Sequence, residues 1–165
     1  MKIPVSWLRE FVEIPENLSG REVSELLLSV GFEVEGVDTV GDVRGPLVVG
    51  LVKSIEELTD FKKPIRWCTV EVGAAHGNDA TPGIRGIVCG ARNFAEGDLV
   101  VVALPGTTLP GDFTIATRET YGHISDGMIC SVRELGIGDE HDGILILPAG
   151  SATPGDNAFP ILGLG

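Results

Sequence analysis

Basic side chains are scarce in this chain. It carries 12 Lys and Arg against 24 Asp and Glu, which gives a formal net charge of −12 and a sequence pI of about 4.5. Avid, non-specific binding to nucleic acid is therefore excluded, because a basic footprint normally supplies the affinity for phosphates. Any contact with RNA would have to come from a local basic patch, acting weakly or beside other contacts in a larger assembly.

Cysteine and long apolar runs are also scarce. The three cysteines, Cys68, Cys89 and Cys130, are widely spaced within apolar segments. This indicates reduced core thiols in a cytoplasmic protein rather than a disulfide framework or a metal site. No apolar run reaches the roughly 18 residues of a membrane span, and the first residues lack the apolar core of a signal peptide. We therefore expect no contact with a membrane.

Glycine and proline, in contrast, are abundant, at 23 and 10 residues, and they separate short runs rich in Val and Ile. This pattern is typical of a small, mainly β barrel or sandwich. The predicted strands are 47–52, 67–72, 84–89, 99–104 and 144–147, with a further short strand near 113–117 and a loop over 54–65. Five strands suit a Greek-key barrel of the OB type, although the pattern alone leaves an SH3-like barrel or a sandwich open.

The first forty residues predict a small α+β unit of two short helices and a strand. Ser6 is placed to cap the first helix, and Ser19 precedes the second with the spacing of a capping box. Residues 32–35 alternate like a strand. Such a unit is too small to bury its apolar faces alone. A second capping-box spacing begins at Ser131 and predicts one or two helical turns that end at Gly136.

One dense basic cluster is present, formed by Lys62, Lys63 and Arg66 beside Phe61 and Trp67. It falls in the predicted loop between the first two strands, one of the regions through which OB barrels bind oligonucleotides. Cations there would meet phosphates, and an exposed ring could stack on a base. The alternative is a solvated loop whose two aromatic side chains are buried in the core. Lone arginines are weaker candidates, since they are commonly paired or solvated: Arg85, Arg92, Arg118 and Arg133.

No catalytic or metal-binding constellation is predicted. His123, Ser125 and Asp126 have the residue types of a hydrolase, but they are crowded into four positions, where a polar turn is the better interpretation. Residues 140–142 lack a separate further group of metal ligands, and residues 90–93 lack the spacing of a phosphate loop. By itself the chain is therefore expected to have no catalytic site and to bind no cofactor.

Two segments carry resemblances to known families. Residues 42–155 resemble the tRNA-binding OB domain shared by several aminoacyl-tRNA synthetases and by free-standing tRNA-binding proteins. The opening, residues 3–12 (Ile-Pro-Val-Ser-Trp-Leu-Arg-Glu-Phe-Val), and residues 31–37 (Gly-Phe-Glu-Val-Glu-Gly-Val) are similar to the N-terminus of the bacterial phenylalanyl-tRNA synthetase β subunit. In that family such an OB domain follows this opening, so the two resemblances occur in the expected order.

The resemblance implies an N-terminal piece of a β subunit that pairs with a catalytic α subunit in an α2β2 enzyme. That enzyme would use ATP and Mg²⁺ to attach phenylalanine to tRNA in the cytoplasm. The implied parts are an incomplete first domain over 1–40, the OB domain over 41–155 and a truncated return segment over 156–165. Two alternatives stay open: the barrel scaffolds the β subunit without touching RNA, or the chain is a free-standing tRNA-binding protein.

Overall fold

The computed structural model describes residues 17–29, 31, 42–77, 81–140 and 142–164. The chain divides into two compact units, 1–40 and 41–165. The predicted helix after Ser6 and the predicted strand over 32–35 lie outside the described residues. None of the helices in the described ranges is both long enough and apolar enough to cross a membrane.

In the first unit the structure describes one helix, α1, Gly20–Ser29. Its start is the predicted capping box. The Ser19 N–H donates to Glu22 Oε2 at 2.7 Å, and the Glu22 N–H donates to Ser19 Oγ at 3.3 Å. The backbone and then the hydroxyl hydrogen bond from Ser19 lower the pKa of Glu22. After the helix, Gly31 has a φ of 93° and donates its N–H to Leu28 O at 3.2 Å.

The second unit is built on an antiparallel sheet, so the predicted mainly β class is confirmed. Four longer strands lie in the order β4-β1-β2-β3, with the bounds β1 Leu47–Leu58, β2 Ile65–Glu71, β3 Ile84–Cys89 and β4 Leu99–Ala103. Shorter strands follow along the chain: β5 Thr108–Leu109, β6 Phe113–Thr114, β7 Arg118–Thr120, β8 His123–Ser125, β9 Met128–Ile129 and β10 Ile146–Leu147. β5 pairs with β6 and β7 with β8 as two small hairpins.

The sheet curls toward closure. β9 pairs with the C-terminal end of β4 and β10 with its N-terminal end. Two short strands therefore share the position that the sequence assigns to one strand at 144–147. From the other edge, the Asp126 N–H donates to Gly86 O at 2.8 Å, and the Val88 N–H donates to Ser125 Oγ at 3.0 Å. These hydrogen bonds join β3 to the segment that leads into β9.

The first half of β1 and the whole of β4 are buried on both faces. Alternate side chains point to opposite sides of a strand. Val48 of β1 and Val100 of β4 therefore join one apolar cluster, together with Val70 and Ile87. Their neighbours join a second cluster on the other face: Leu47, Val49, Leu99 and Val101. Because these segments are buried on both faces, they are apolar runs in the sequence, and this pattern predicted them as strands.

β1 is longer than predicted. Residues 54–58, predicted as the start of a loop, continue the strand and pair with β2 as far as Leu58 opposite Ile65. A register shift between Val52 and Ser54 marks a bulge. The prediction failed here because this half of the strand has mostly exposed side chains and two glutamates, which strands disfavour. The loop between β1 and β2 is therefore 59–64.

Two segments near the end of the chain make short helical structure. The capping box at Ser131 forms, with its N–H donating to Glu134 Oε1 at 2.9 Å, and the Leu135 N–H donates to Ser131 O at 3.2 Å, so the chain makes one turn that ends at Gly136, as predicted. Residues 156–165, predicted as a return segment, contain the helix α2, Ala158–Leu162, capped by the side chain of Asn157. Ala158 is fully buried in the second cluster.

The three cysteines are unpaired and buried, as predicted. Burial raises the pKa of Cys68 and of Cys130 to about 12, and burial also raises the pKa of Cys89. We predict that a disulfide exchange reagent at mildly alkaline pH finds no fast thiol in the folded chain and all three after unfolding in guanidinium, because only an exposed thiolate reacts. A thiol that reacts within seconds in the native protein would contradict this packing.

Candidate nucleic-acid interface

The loop 59–64 presents cations and an aromatic ring to solvent. Lys62 and Lys63 are exposed, and neither forms an ion pair or a side-chain hydrogen bond with any residue that the structure describes. Phe61 keeps 39% of its surface exposed. A groove of about 500 Å³ beside the loop is lined by Phe61, Lys62 and Arg92, among others. The two lysines of the predicted cluster are therefore accessible at this end of the sheet.

Glu57, in the part of β1 that the sequence did not predict, holds two of the predicted arginines. Its carboxylate accepts hydrogen bonds from Arg66 Nε at 2.9 Å and from Arg92 Nη1 at 2.9 Å. The hydrogen bond from Arg92, and then the charges of both guanidinium groups, lower the pKa of Glu57. Sequence reasoning missed this residue because it was assigned to a loop.

The two arginines held by Glu57 differ in accessibility. Arg66 is only 13% exposed, donates to Phe94 O at 2.6 Å and places its guanidinium 5.1 Å from the centre of the Phe94 ring. Arg92 is 49% exposed and lines the groove beside the loop. The structure thus commits Arg66 to the fold and leaves Arg92 open to a ligand.

The remaining predicted arginines lie in three different places. Arg85 is 15% exposed, pairs with Asp126 at 2.8 Å and donates to His76 O at 2.6 Å. Arg118 is exposed at the start of β7. Arg133 is exposed in a second groove of about 780 Å³, which Arg92 also lines. Arg92 thus borders both grooves and connects the lysine loop to Arg133, whereas Arg85 serves the closure of the sheet.

The second groove has mixed charge. Its lining includes Glu134 and Asp142 as well as Arg92 and Arg133. The Glu134 carboxylate already accepts the Ser131 N–H. Two cations opposite two carboxylates give no net attraction for a phosphate. The lysine loop therefore carries the stronger case for RNA contact.

A hairpin that the sequence analysis missed, β7–β8, crosses the face of β2 and β3. Trp67 alternates with the buried Cys68, so it lies on the outer face, and its ring packs against Gly86, where a Cβ would collide with it. His123 of β8 stacks on Trp67 with ring centroids 4.6 Å apart and planes at 27°. Neither Trp67 nor Phe61 belongs to the buried core, so the alternative interpretation of these aromatics was wrong.

The turn of this hairpin carries an aromatic residue to the lysine loop. Tyr121 and Gly122 form the two-residue turn, with φ values of 51° and 76°. The Tyr121 ring meets the Phe61 ring edge to face, with centroids 4.6 Å apart and planes at 69°. The sequence signal for this hairpin was the alternating segment around Tyr121. It was not sufficient to predict the turn, because Asn, Asp and Gly dominate the first position of such a turn and tyrosine is unusual there.

The residues with hydrolase-like chemistry have separate structural partners. Ser125 Oγ accepts the Val88 N–H, and Asp126 pairs with Arg85 and accepts the Thr117 hydroxyl at 2.6 Å. Across the ranges that the structure covers, no group of three or more His, Cys, Asp and Glu side chains could hold a metal ion. His141 lies outside these ranges.

These features define a small antiparallel β domain with a cationic and aromatic loop at one end of its sheet. Residues 47–157 match the family described as "Putative tRNA binding domain", and the chain belongs to that family.

Two relatives are similar to nearly the whole chain. The phenylalanine–tRNA ligase β subunit of Thermobifida fusca is 59% identical over 165 residues, and that of Mycolicibacterium paratuberculosis is 56% identical over 167 residues. Each match covers 99% of this chain, and 20% and 19% of those two proteins. The predicted resemblance to this family of β subunits is confirmed, and the chain spans about a fifth of the length of the curated relatives that it matches.

Among solved structures, the CsaA chaperone protein of Picrophilus torridus matches with a TM-score of 0.45 and 14% sequence identity. The match covers 67% of this chain and 88% of that one.

The packing of Trp67 on Gly86 can be tested with a single methyl group. Gly86→Ala should lower the free energy of unfolding by about 1–3 kcal/mol, because the added Cβ displaces a ring held between the sheet and His123. Urea denaturation measures the change. Gly90→Ala is the matched control, since a Cβ there meets its nearest atom at 3.7 Å. Equal stability of the two variants would contradict the stacked arrangement.

The role of Glu57 can be tested through the pH dependence of stability. Its folded pKa lies below the ordinary value of 4.5, so its stabilising contribution is present above that pH and is lost as the pH falls through the folded pKa. Glu57→Gln should therefore be less stable than the parent chain near pH 7, and the gap should close in acid. Glu56→Gln, at an exposed neighbouring position, is the control. A pH-independent gap would contradict the ion-pair assignment.

Proposed function

We propose that the chain is a tRNA-binding OB barrel from the N-terminal part of a phenylalanine–tRNA ligase β subunit. The identity of 59% to one such subunit supports the parent protein. The accessible pair Lys62 and Lys63, in the loop between β1 and β2, is the observation that carries the binding role. Both lysines lack a partner among the described residues, so their charge is available to phosphates.

The strand arrangement supports the OB assignment. β1 pairs with both β2 and β4, β2 pairs with β3, and β9 lies beside β4 while its leading segment bonds to β3. This order supports the proposal of a five-stranded Greek-key barrel in which β9 would be the closing strand. In such barrels oligonucleotides bind across the second and third strands, between the loop after the first strand and the loop before the last. Here these loops are 59–64 and 104–127.

The hairpin β7–β8 covers part of this proposed binding face. It belongs to the second of the two loops and covers the centre of the face by stacking His123 on Trp67. RNA would therefore contact the rim, where the lysine loop and the Tyr121 turn meet, rather than the middle of the sheet. The groove that contains Lys62 and Arg92 extends this rim on the other side of Phe61.

The parent enzyme sets the context of this binding. We propose that the chain acts in the cytoplasm as part of an α2β2 enzyme, in which a catalytic α subunit carries out the attachment of phenylalanine to tRNA with ATP and Mg²⁺. The residues described here do not fit those cofactors, since their carboxylates, His and Cys side chains form no metal-binding group and no phosphate-loop spacing is present. The chain would contribute tRNA affinity and no chemical step.

The affinity of the chain for tRNA should be modest and should depend on the salt concentration. A net charge of −12 repels phosphates from most of the surface, so only the local cations release counterions on binding. A weak contact of this kind suits an accessory domain, because tethering in a larger enzyme gives it a high effective concentration on RNA that is already bound elsewhere.

The lysine pair can be tested by charge reversal in the 165-residue chain. Lys62→Glu/Lys63→Glu should weaken tRNA binding about tenfold or more at low salt and lower the slope of log affinity against log salt by about 1.5 to 2, because two phosphate contacts are lost. Fluorescence anisotropy with labelled tRNA measures both.

Arg44→Glu/Lys53→Glu is the matched control for this experiment. It changes the net charge equally, and among the described residues it breaks only the surface ion pairs with Asp112 and Glu71. Equal losses in the two double variants would attribute the effect to net charge and remove the lysine loop from the interface.

The second candidate function is a scaffold that packs within the β subunit and never touches RNA. The acidic net charge favours it. A parent chain that fails to bind tRNA even at low salt would support this alternative. A free-standing tRNA-binding protein has less support, since the relatives that match nearly the whole chain are ligase β subunits.

A further inference from the structure

The Phe61–Tyr121 ring pair has no structural role in the core. The two rings come from separate elements, the loop 59–64 and the turn of β7–β8, and they keep 39% and 41% of their surface exposed. We propose that this pair is a stacking site for an unpaired base of RNA and that Lys62 and Lys63 hold the phosphates of the same strand. The inference rests on the proposed function and specifies which part of an RNA this rim takes.

The backbone at Tyr121 supports a role for its ring. A φ of 51° is rare outside Gly, Asn and Asp, and a bulky residue there is a genuine outlier. Asn or Gly would form the same turn with less strain. Because residues in such conformations concentrate at binding sites, the tyrosine is explained by what its side chain contacts and not by the turn that it makes.

The site is held in place before any ligand arrives. Behind the turn, His123 stacks on Trp67, and the Ser125 hydroxyl accepts the Val88 N–H. The segment after β8 is fixed by the ion pair of Asp126 with Arg85, both side chains being 15% exposed. Tyr121 is therefore presented by an anchored hairpin, so little conformational entropy is lost when a base stacks on it.

The charge beside the rings indicates the chemistry of the occupant. Lys62 and Lys63 follow Phe61 directly, so an apolar face lies within a few residues of two cations that have no partner in the described part of the chain. That combination matches a nucleotide strand, which alternates flat π faces with phosphates. A duplex does not fit, because its bases are already stacked on one another and their faces are hidden. The structure thus favours an unpaired segment over a helical stem.

The test titrates the 165-residue chain with three labelled RNAs: tRNA, a single-stranded oligonucleotide of roughly eight nucleotides, within the site size of an OB fold, and a duplex of the same length. Phe61→Leu and Tyr121→Asn each remove a ring, and Asn accepts the positive φ of the turn. Each variant should lose about five- to 100-fold in affinity for the single strand, as expected for one lost base stack. The salt slope should stay that of the parent chain, because no charge is removed.

Two controls separate stacking from folding. Tyr121→Phe keeps the ring and should keep the affinity for the single strand. Ile161→Ala removes an apolar side chain that is 40% exposed on α2, outside the loops 59–64 and 104–127, and should bind like the parent chain. Urea denaturation of every variant identifies any loss that comes from unfolding.

The outcomes distinguish this site from the proposed function. If the parent chain binds tRNA and the lysine variant is weakened, but Phe61→Leu and Tyr121→Asn bind the single strand as the parent does, the stacking site is overturned and tRNA binding stands. Preference of the parent chain for the duplex over the single strand also overturns it. If the parent chain binds none of the three RNAs, the proposed function fails and the stacking site fails with it.

Discussion

Gly50 sets the geometry on which the second unit depends. It lies in the middle of β1, and a Cβ there would come within 2.6 Å of a Val70 methyl group and 2.7 Å of a Val102 methyl group. The side chains of the two flanking strands therefore meet across β1 in the space that its own residue leaves empty. A strand with a side chain at this point would push β2 and β4 apart, since a close-packed interior has no room for extra atoms. The absence of a side chain at Gly50 therefore leaves room for Val70 and Val102 on this face of the sheet.

The same strand links the core to the candidate site. Its first half is buried on both faces, and its second half continues past a bulge as a partly exposed strand paired with β2. That extension carries Glu57 to the end of the sheet, where it holds Arg66 and Arg92. A strand that ended at the bulge would have left these arginines without a common anion and the following loop without a fixed starting point.

The acidic surface and the lysine loop would act together in the proposed binding of RNA. With a net charge of −12, most orientations of the chain repel RNA. In the proposed complex, the exposed Lys62 and Lys63, which have no ion-pair partner among the described residues, would attract RNA to this rim and supply both its orientation and the local affinity for phosphates. A uniformly basic domain would bind more tightly but would also hold RNA in unproductive orientations and compete with the contacts that a larger enzyme makes elsewhere.

Sequence reasoning succeeded where local pattern and burial agree. The third strand was predicted with its observed bounds, β1 and β4 were located by their apolar runs, and the capping box at Ser19 and the position of the lysine loop were correct. It failed where long-range contacts decide the structure. The extension of β1 to Leu58 is polar and depends on pairing with β2, and the hairpin β7–β8 depends on Trp67 and Gly86, more than thirty residues away in the sequence.

The candidate site also contains residues that the sequence could predict and residues that it could not. The cations could be found by composition, because a basic cluster in an acidic chain is conspicuous. Tyr121 could not, since its residue type argues against a turn and its partner Phe61 lies 60 positions earlier. The proposed stacking site therefore depends on the tertiary arrangement that brings Tyr121, an unusual turn residue, against the exposed ring of Phe61. A sequence pattern supplies the charge for such a site, and only the closure of the sheet supplies the surface on which a base could lie.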